Sequence, residues 1–569
     1  MSNYKILFSK FLFILGESKF FIPVLIFVSL INSLLDILGI SLLVPFFNFT
    51  FFPENQINFF FNFFNKFSKE DLILYFGISI IISFFLKIFF ATFLYYFLTY
   101  YSLNFQRDLK VRVLKNFLSL NYLKFTQTQA SHYFELITNL IPIFSNEVLM
   151  PILKILSNLI LIIALSFLLY FSNPKAFLFL LIVLIILSII YIIFSKINKK
   201  YGKNASLANE GFLKSVKDII FGYIEIIIFK KNIFFLDRAE KYSKINLNNS
   251  MKGLIISFVP KYIIEFMLVS FLVFYVFYLF FFDRSLLNEG LTVIILYSAV
   301  SVRLIPSFSV IINSFASINF GLFSIEKIYS NLLNSNSNFI PKNLKQIHSD
   351  QSAENFVFEN ICFVDVSFNY NKNKIIEKLS TLIQKNQMIG ISGPSGSGKT
   401  TFLNLFLGFL EPISGKILIN GKLKSFNNNL WLSKISYMPQ DIFLLNDSIK
   451  INIALKEGLN EKEIKILNEA INKVELKEFL DNQPNGIDSI ISDTGLNLSG
   501  GQKQRLAIAR SIYHNKEIIV LDEFTSALDA ITVSKIMELL LKLKKEKTII
   551  LSSHDSNVLN VCDKIIKLT

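Results

Sequence analysis

Residues 393–400 read Gly-Pro-Ser-Gly-Ser-Gly-Lys-Thr, which satisfies the pattern G-x(4)-G-K-[ST] at every fixed position. An apolar run, Met388–Ile391, precedes it and reads as a strand; Phe402-Leu403-Asn404-Leu405 follows and reads as the start of a helix. That context gives the pattern its chemistry. In a loop of Gly393, Pro394, Ser395, Gly396, Ser397 and Gly398, backbone N–H groups turn inward around phosphate oxygens, and the helix that begins near Lys399 adds the positive end of its dipole. Lys399 is placed to reach the β- and γ-phosphates, the Thr400 hydroxyl to hold Mg²⁺, and Thr401 to continue the phosphate-facing turn. These residues predict that the chain binds a nucleoside triphosphate.

Two further segments carry related chemistry. Ile518-Ile519-Val520-Leu521 reads as a buried strand that delivers Asp522 and Glu523 at its C-terminal end. Paired carboxylates there suit phosphoryl transfer, Asp522 in the Mg²⁺ shell and Glu523 polarising an attacking water. Upstream, Leu498-Ser499-Gly500-Gly501-Gln502 opens a helical stretch and makes a second phosphate-facing helix terminus.

The elements that must position these groups fall into two halves. Residues 1–330 are dominated by Phe, Ile and Leu, residues 331–354 form a linker rich in Asn, Ser, Lys and Gln, and residues 355–569 have the composition of a soluble α/β domain. With 63 Phe and a mean hydropathy of +0.50, the chain lies far from globular usage. Crossing about 30 Å of hydrocarbon takes roughly 20 apolar residues in a helix. Six stretches meet that need: Phe21–Val44, Leu72–Phe97, Ile152–Phe171, Phe177–Phe194, Tyr262–Phe282 and Leu291–Phe315. The connection from Lys196 to Lys252 has twelve Lys/Arg against five Asp/Glu, and that from Arg107 to Glu147 five against three. The segments 47–71 and 283–290 each come to −1. The positive-inside rule then puts both termini, both long loops and the second half in the cytoplasm. The overall charge of +15 is accordingly a membrane-topology signal, and nucleic acid is not an expected partner. The N-terminus has no small-residue cleavage site and so no expected signal peptide. Cys362 and Cys562, about 200 residues apart on the cytosolic side, are expected as reduced thiols.

The order of the motifs resembles that of ATP-binding cassette (ABC) transporters: the phosphate loop at 393–400, the L-S-G-G-Q signature at 498–502, the strand ending in Asp522-Glu523, the Ser526-Ala527-Leu528-Asp529 loop, then His554 after the apolar strand Thr548–Ser552. The resemblance implies roles residue by residue. Tyr370 in Ser-Phe-Asn-Tyr would stack on adenine; Gln440 in Tyr-Met-Pro-Gln would contact Mg²⁺ or water and sense the membrane domain; His554 would contact the γ-phosphate; Ser499, Gly500, Gly501, Gln502 and Asp529 would complete the site across a dimer. Phe524, where the family usually has Ala or Pro, and Asp493, where exporters often have Glu, depart from the pattern. The implied fold is an α-helical six-span membrane domain of the exporter type followed by an α/β nucleotide-binding domain. With one cassette, the chain resembles a half-transporter completed as a homodimer, with ATP and Mg²⁺ as ligands. The resemblance also places short coupling helices near Leu123–Tyr133 and Lys214–Tyr223.

Charges inside the spans bear on cargo. Lys87 and Arg303 lie near mid-span, and Lys261 follows Pro260 at the cytoplasmic end of the fifth span. A cation at such depth costs about 2.5–3.5 kcal/mol on insertion scales and faces a cavity or a partner. Glu265 sits one turn from Lys261; for Lys87 and Arg303 only Asp36 in the first span is a candidate partner. Cavity-facing cations, up to six in a dimer, suit an anionic substrate such as a phosphate or pyrophosphate. Ile57, Phe60, Phe61, Phe64 and Phe67 recur at helical spacing opposite Asn58, Asn62, Asn65 and Lys66, as in a helix lying in the outer membrane interface. Together these features resemble bacterial flippases of lipid-linked oligosaccharides, which move a polyprenyl-pyrophosphate carrier across the inner membrane. The alternatives are an exporter of another lipid, a peptide or a drug, and an ATP-gated channel or regulator; intact Glu523, Gln440 and His554 weigh against the last.

Overall fold

The computed structural model describes residues 2–51, 69–120, 122–127, 130–172, 174–282, 287–333, 357–370, 373–423, 429–491, 498–525 and 528–568. The loop with the apolar series Ile57–Phe67, together with Asp493, Ser526 and Ala527, lies outside them. The chain forms two compact units: Met1–Leu118 with Gln129–Asn336, and Ser119–Thr128 with Ser337–Thr569.

The first unit is helical: α1 (Ser2–Leu15), α2 (Ile22–Phe51), α3 (Lys69–Leu118), α5 (Ala130–Glu135), α6 (Ile141–Ile143), α7 (Met150–Ser172), α8 (Pro174–Phe221), α9 (Tyr223–Ile228), α10 (Asn232–Phe282) and α11 (Leu287–Leu333), with α4 (Tyr122–Gln127) belonging to the second unit. Each of the six apolar stretches lies on one of the long helices α2, α3, α7, α8, α10 and α11. Over the described residues alone, Ile22–Phe47, Glu70–Leu118, Tyr133–Ser172 and Ile294–Leu333 are long and apolar enough to cross a membrane. Large apolar side chains such as Phe85, Phe89 and Ile81 stay exposed on α3, as a lipid-facing helix requires. Inside the unit, Ile40, Leu161, Leu165, Leu169, Val300, Leu304 and Phe308 pack as one cluster. The long helices α3 and α8 carry polar extensions beyond their apolar parts. A break at Gly222 sets off the short helix α9, whose first residue, Tyr223, is the last of the segment implied for the second coupling helix, the rest of which lies on the end of α8 and at Gly222. The N-terminal helix α1, which the sequence did not announce, buries Phe11, Ile14 and Leu15 and leaves Ile6 and Phe8 exposed.

The second unit holds two sheets. An antiparallel one runs β2-β1-β4-β5, with β1 (Asn360–Tyr370), β2 (Asn373–Gln384), β4 (Ser414–Ile419) and β5 (Lys422–Leu423). A parallel one runs β6-β7-β8-β3-β9, with β3 (Met388–Ser392), β6 (Ile435–Met438), β7 (Ile518–Asp522), β8 (Thr548–Ser552) and β9 (Lys564–Lys567). Strands β3, β7 and β8 are continuous apolar runs and almost wholly buried, as a parallel sheet covered on both faces demands. Helices α12 (Lys399–Leu407), α13 (Asn429–Ser433), α14 (Ile449–Ala454), α15 (Glu461–Lys473), α16 (Lys477–Asp481), α17 (Gly500–Tyr513) and α18 (Ala530–Leu543) complete the unit. Phe363, Phe402, Phe406 and Trp431 anchor one apolar core, and Leu467, Leu506, Leu521 and Phe524 anchor another. Phe524, the departure from the family pattern, is fully buried in the latter, beyond the carboxylates.

Candidate nucleotide site and intramembrane charge cluster

Strand register assembles the nucleotide site. Ile391 pairs with Ser552, and Asp522 pairs with the same Ser552. The C-terminal ends of β3, β7 and β8 therefore lie side by side, where ligands bind in open parallel sheets. From that edge issue the phosphate loop, the Asp522-Glu523 pair and, two residues past Ser552, His554.

The loop has the backbone that its glycines promise. Gly398 caps α12 at φ +91°, and a Cβ there would lie 2.6 Å from Ile375 Cγ2. At Gly393 a Cβ would come within 2.3 Å of Ser397 Oγ and 2.5 Å of the Leu568 carbonyl. Any side chain at either position would deform the loop. Among the described residues the buried Ser397 hydroxyl has no hydrogen-bond partner, so the cradle retains an unused polar group of the kind a phosphate oxygen engages.

Around the loop the charged groups form one network. Lys399, 6% exposed, donates to the carbonyls of Gly393 and Pro394, both at 3.1 Å, and its Nζ is 2.9 Å from His554 Nε2. Thr400 Oγ1 donates to Asp522 Oδ2 at 3.2 Å, and Ser552 Oγ to Asp522 Oδ1 at 2.6 Å. Burial raises the Asp522 carboxyl above its ordinary value; the bonds from Ser552 and Thr400 and the charge of Lys399 oppose that, while Glu523 adds to it. Gln440 Nε2 donates to Glu523 Oε2 at 2.8 Å, and Glu523 Oε1 lies 3.5 Å from His554 Nε2 and 3.9 Å from Lys399 Nζ. Glu523 sits at φ +48°, a left-handed conformation unusual for a side-chain-bearing residue. Its N–H is held by Ser552 Oγ at 2.9 Å. Ser552 thus aligns both acids through one hydroxyl, a role sequence reasoning missed; its place at the end of a motif strand, two residues before His554, was the available signal. Glu523 and His554 also line a cavity of about 410 Å³ with Thr525, Leu528, Ser553 and Asn557.

The oxygens of Thr400 and Asp522, already in contact, with the Gln440 side chain bonded to the neighbouring Glu523, make a hard donor set that fits Mg²⁺ shared with phosphates. No group of three or more His, Cys, Asp or Glu suited to a metal occurs among the described residues.

Other predicted residues stand apart from this network. Tyr370, exposed at the end of β1, meets the Phe368 ring edge-on at 5.0 Å. Burial raises its phenol. Ser499 caps α17 in a capping box: its N–H donates to Gln502 Oε1 at 2.8 Å, and its Oγ accepts from the Gln502 N–H. Asp529 caps α18 through the N–H and hydroxyl of Thr532. Both caps are exposed, and Gly500 and Gly501 open α17 beside Ser499. Burial pushes the Cys562 thiol up to about 11, as for an unreactive cysteine, and Cys362 is likewise a free thiol.

In the membrane unit Asp36, the candidate partner the sequence offered, meets both Lys87 and Arg303. Lys87 Nζ is 2.6 Å from Asp36 Oδ1, and Arg303 Nη2 is 3.0 Å from Asp36 Oδ2. The Asp36 side chain is 1% exposed, against 17% for Lys87 and 32% for Arg303. One carboxylate on α2 thus ties α3 to α11, and the three groups carry a net +1 instead of two uncompensated charges. A buried carboxylate demands counter-charge, and two cations at that depth meet the demand at once. The Lys261 side chain lies outside the described residues; its backbone belongs to α10.

Comparison with known proteins agrees with this architecture. The profile of the ABC transporter transmembrane region matches residues 22–305, and that of the ABC transporter matches residues 376–526. A probable ABC transporter ATP-binding/permease protein of Haemophilus influenzae is 37% identical over 203 residues, 36% of each chain. An ATP-dependent lipid A-core flippase of Paraburkholderia xenovorans is 35% identical over 210 residues, 36% of this chain and 35% of that one. These alignments span about a third of the length of the curated relatives. A bacterial Atm1-family ABC exporter solved with ATP bound superposes with a TM-score of 0.76 at 18% identity, covering 98% of this chain and 94% of that chain. With a matched transmembrane region followed by a matched nucleotide-binding region, the chain belongs to the ABC transporter family and has the make-up of an exporter half-transporter.

Proposed function

We propose that the chain is one half of a homodimeric, ATP-hydrolysing flippase that moves an anionic lipid-linked oligosaccharide from the cytoplasmic to the periplasmic leaflet of a bacterial inner membrane. The observation that carries the ATPase reading is Glu523, held by Gln440 and Ser552 next to Lys399 and His554. Its carboxylate accepts the proton of an attacking water as the terminal phosphoryl group departs, a general-base role. The Lys399 ammonium offsets charge on the β- and γ-phosphates, and His554 contributes a polar contact near the terminal phosphate. Mg²⁺ held through Thr400, Asp522 and Gln440 supplies charge neutralisation on the phosphate oxygens. Tyr370 provides an aromatic surface for the base.

Two features support completion by a second copy. Ser499–Gln502 open a helix toward solvent and bond among themselves, so the signature is available to the phosphate loop of another chain. The short helix α9 exposes Tyr223, Ile224 and Ile228 by 65–67%, an apolar surface of the kind an assembly buries.

Support for the cargo comes from the membrane unit. Lys87, Asp36 and Arg303 leave one excess positive charge per chain at span depth, two in a homodimer, which suits a dianionic pyrophosphate-linked headgroup. Lys261 is a further candidate on the same ground. A lipid A-core glycolipid is the second reading, favoured by the name of the Paraburkholderia relative; both cargoes join sugars to a phosphorylated lipid.

Proteoliposomes separate the readings. ATP-driven flipping is measured for pyrophosphate-linked glycolipid, lipid A-core, peptide and drug, with Glu523→Gln as control. Preferential movement of the pyrophosphate-linked lipid supports the proposal; preferential movement of lipid A-core selects the second reading; ATP hydrolysis with no movement of any cargo favours a channel or regulator.

A further inference from the structure

Lys154 is a further cation at membrane depth, on α7 within the apolar stretch Tyr133–Ser172. Residues four, seven and eleven positions apart share a face of a helix. Lys154 therefore shares one with Asn158, Leu161 and Leu165, and the two leucines are buried in the cluster that includes Val300 and Leu304 of α11. Its chain neighbours Leu153 and Ile155 are buried as well. Leu159, Ile163 and Phe167, 42–66% exposed, mark the opposite side. A lysine on that side could snorkel to the membrane surface; Lys154 is half-buried on the inner side.

Its charge is not compensated as those of its counterparts are. Asp36 is engaged by Lys87 and Arg303, and Glu135 pairs with Lys327 at 3.6 Å. Among the described residues no carboxylate comes within ion-pair distance of Lys154. Glu147, the nearest acid in sequence, stands seven residues back. Polar groups gather there instead. Ser157 Oγ donates to the Lys154 carbonyl at 3.0 Å and Asn158 Nδ2 at 2.9 Å, so both side chains lean back toward Lys154.

Helix α2 brings another polar group to this level. Phe21, just before α2, meets Tyr101 of α3 at 5.2 Å, and Ser145, just before α7, shares a 2.8 Å hydrogen bond with Ser102 of α3. The two helices thus start beside the same turn of α3 and run the same way. Ile40 packs with Leu161 and Leu165. Asn32, eight residues before Ile40, then falls level with Lys154 and Asn158, each seven residues before one of those leucines. It is 8% exposed, and its Oδ1 has no hydrogen-bond partner among the described residues, whereas buried amides are normally satisfied.

An ionisable group inside a membrane domain, turned from lipid and without a counter-charge, marks a ligand path. We propose that Lys154, with Asn158 and Asn32, binds the phosphate-bearing headgroup of the cargo one turn of α2 before the Asp36, Lys87 and Arg303 cluster. Lys87 and Arg303 are held by Asp36, while the Lys154 ammonium has its charge available for a phosphate oxygen. The Asn32 Oδ1 offers an acceptor for a sugar hydroxyl. This inference deepens the anionic-cargo reading above and rests on it.

Farnesyl pyrophosphate and uncharged farnesol, titrated onto the full chain in detergent micelles, test the assignment. The wild type should bind the pyrophosphate at least about tenfold more tightly than farnesol. Lys154→Gln should weaken farnesyl pyrophosphate by about ten- to hundredfold and leave farnesol within about twofold, and Lys154→Arg should keep most of the affinity. A second measurement needs no variant, so it decides the matter even where Lys154→Gln does not fold. Farnesyl pyrophosphate, and not farnesol, should slow acetylation of Lys154 severalfold in the wild type, read by mass spectrometry against the exposed Lys214. Unchanged farnesyl pyrophosphate affinity in Lys154→Gln overturns the assignment, as does an equal loss for farnesol or an acetylation rate that ignores the pyrophosphate. A wild type that binds both probes equally overturns the anionic-cargo reading itself, so the two failures are distinguishable.

Discussion

The nucleotide site and the intramembrane cluster solve the same electrostatic problem, buried charge, in opposite ways. Around Lys399 the charges are numerous, joined to polar side chains and backbone carbonyls, and set at the edge of a sheet where phosphate and water enter. Around Asp36 there are three charges, one carboxylate shared by two cations on neighbouring helices. The first arrangement keeps its carboxylates available for chemistry; the second spends its carboxylate on joining three helices. Buried acids and bases are therefore not equivalent indicators of function: what matters is whether the partners leave a group free to act.

The largest expected effect lies on the chemical side of that contrast. Glu523→Gln should retain ATP binding and reduce phosphate release by about 10²–10⁴-fold, the usual contribution of a general base. Near-normal turnover would move the base elsewhere. Lys399→Ala should act one step earlier: losing a charge-assisted contact of about 1.5–3 kcal/mol weakens ATP binding by about ten- to hundredfold, read by nucleotide titration.

A mixing experiment asks whether one chain contains the whole site. Ser499→Arg chains should be nearly inactive alone. Combined with Lys399→Ala chains they form heterodimers in which one site carries both lesions and the other neither, and phosphate release should partly return. Wild-type turnover in Ser499→Arg alone would mean that each chain hydrolyses ATP without its partner's signature.

The membrane cluster gives the next smaller effect, and its sign separates the two regions. Lys87→Gln with Arg303→Gln leaves Asp36 buried and unpaired, which should destabilise the protein by about 3–5 kcal/mol. Adding Asp36→Asn should restore folded yield in detergent, because no isolated charge remains. Flipping by that triple variant then reports on cargo recognition free of the folding defect. A stable double variant would show that Asp36 is not the group the cations compensate.

The smallest effect comes from an ion pair in the nucleotide unit. Glu517 accepts from Lys434 at 2.6 Å and from the Phe358 N–H at 3.3 Å. Burial alone would raise its carboxyl; those bonds and the nearby lysines outweigh it and hold the carboxyl below its ordinary value. A lowered carboxyl stabilises the fold above its unfolded-state value, near 4.3, and loses that contribution as pH falls through its folded value. Glu517→Gln should lower the thermal midpoint by about 2–4 °C at pH 7, as for a loss of roughly 1 kcal/mol, and by less near pH 4. An equal loss at both pH values would assign the effect to packing.

Much of this was legible in the chain itself. The phosphate loop, the signature, the Asp522-Glu523 pair and His554 are each contiguous or strand-terminal, because a backbone cradle and a strand end are local objects. The apolar stretches on α2, α3, α7, α8, α10 and α11 were legible for a similar reason: hydrocarbon imposes a length and an apolar composition that no other solvent requires. What the sequence did not determine is who meets whom. Residues 36, 87 and 303 are held together only because α2, α3 and α11 pack, and no local pattern encodes that meeting. Ser552 took its role from the pairing of β7 with β8, and Ser119–Thr128 joined the nucleotide unit through contacts with a helix that starts 280 residues later. Local geometry is written in adjacent residues; compensation of buried charge and the partnership of distant segments are settled by packing, so only the tertiary structure decided them.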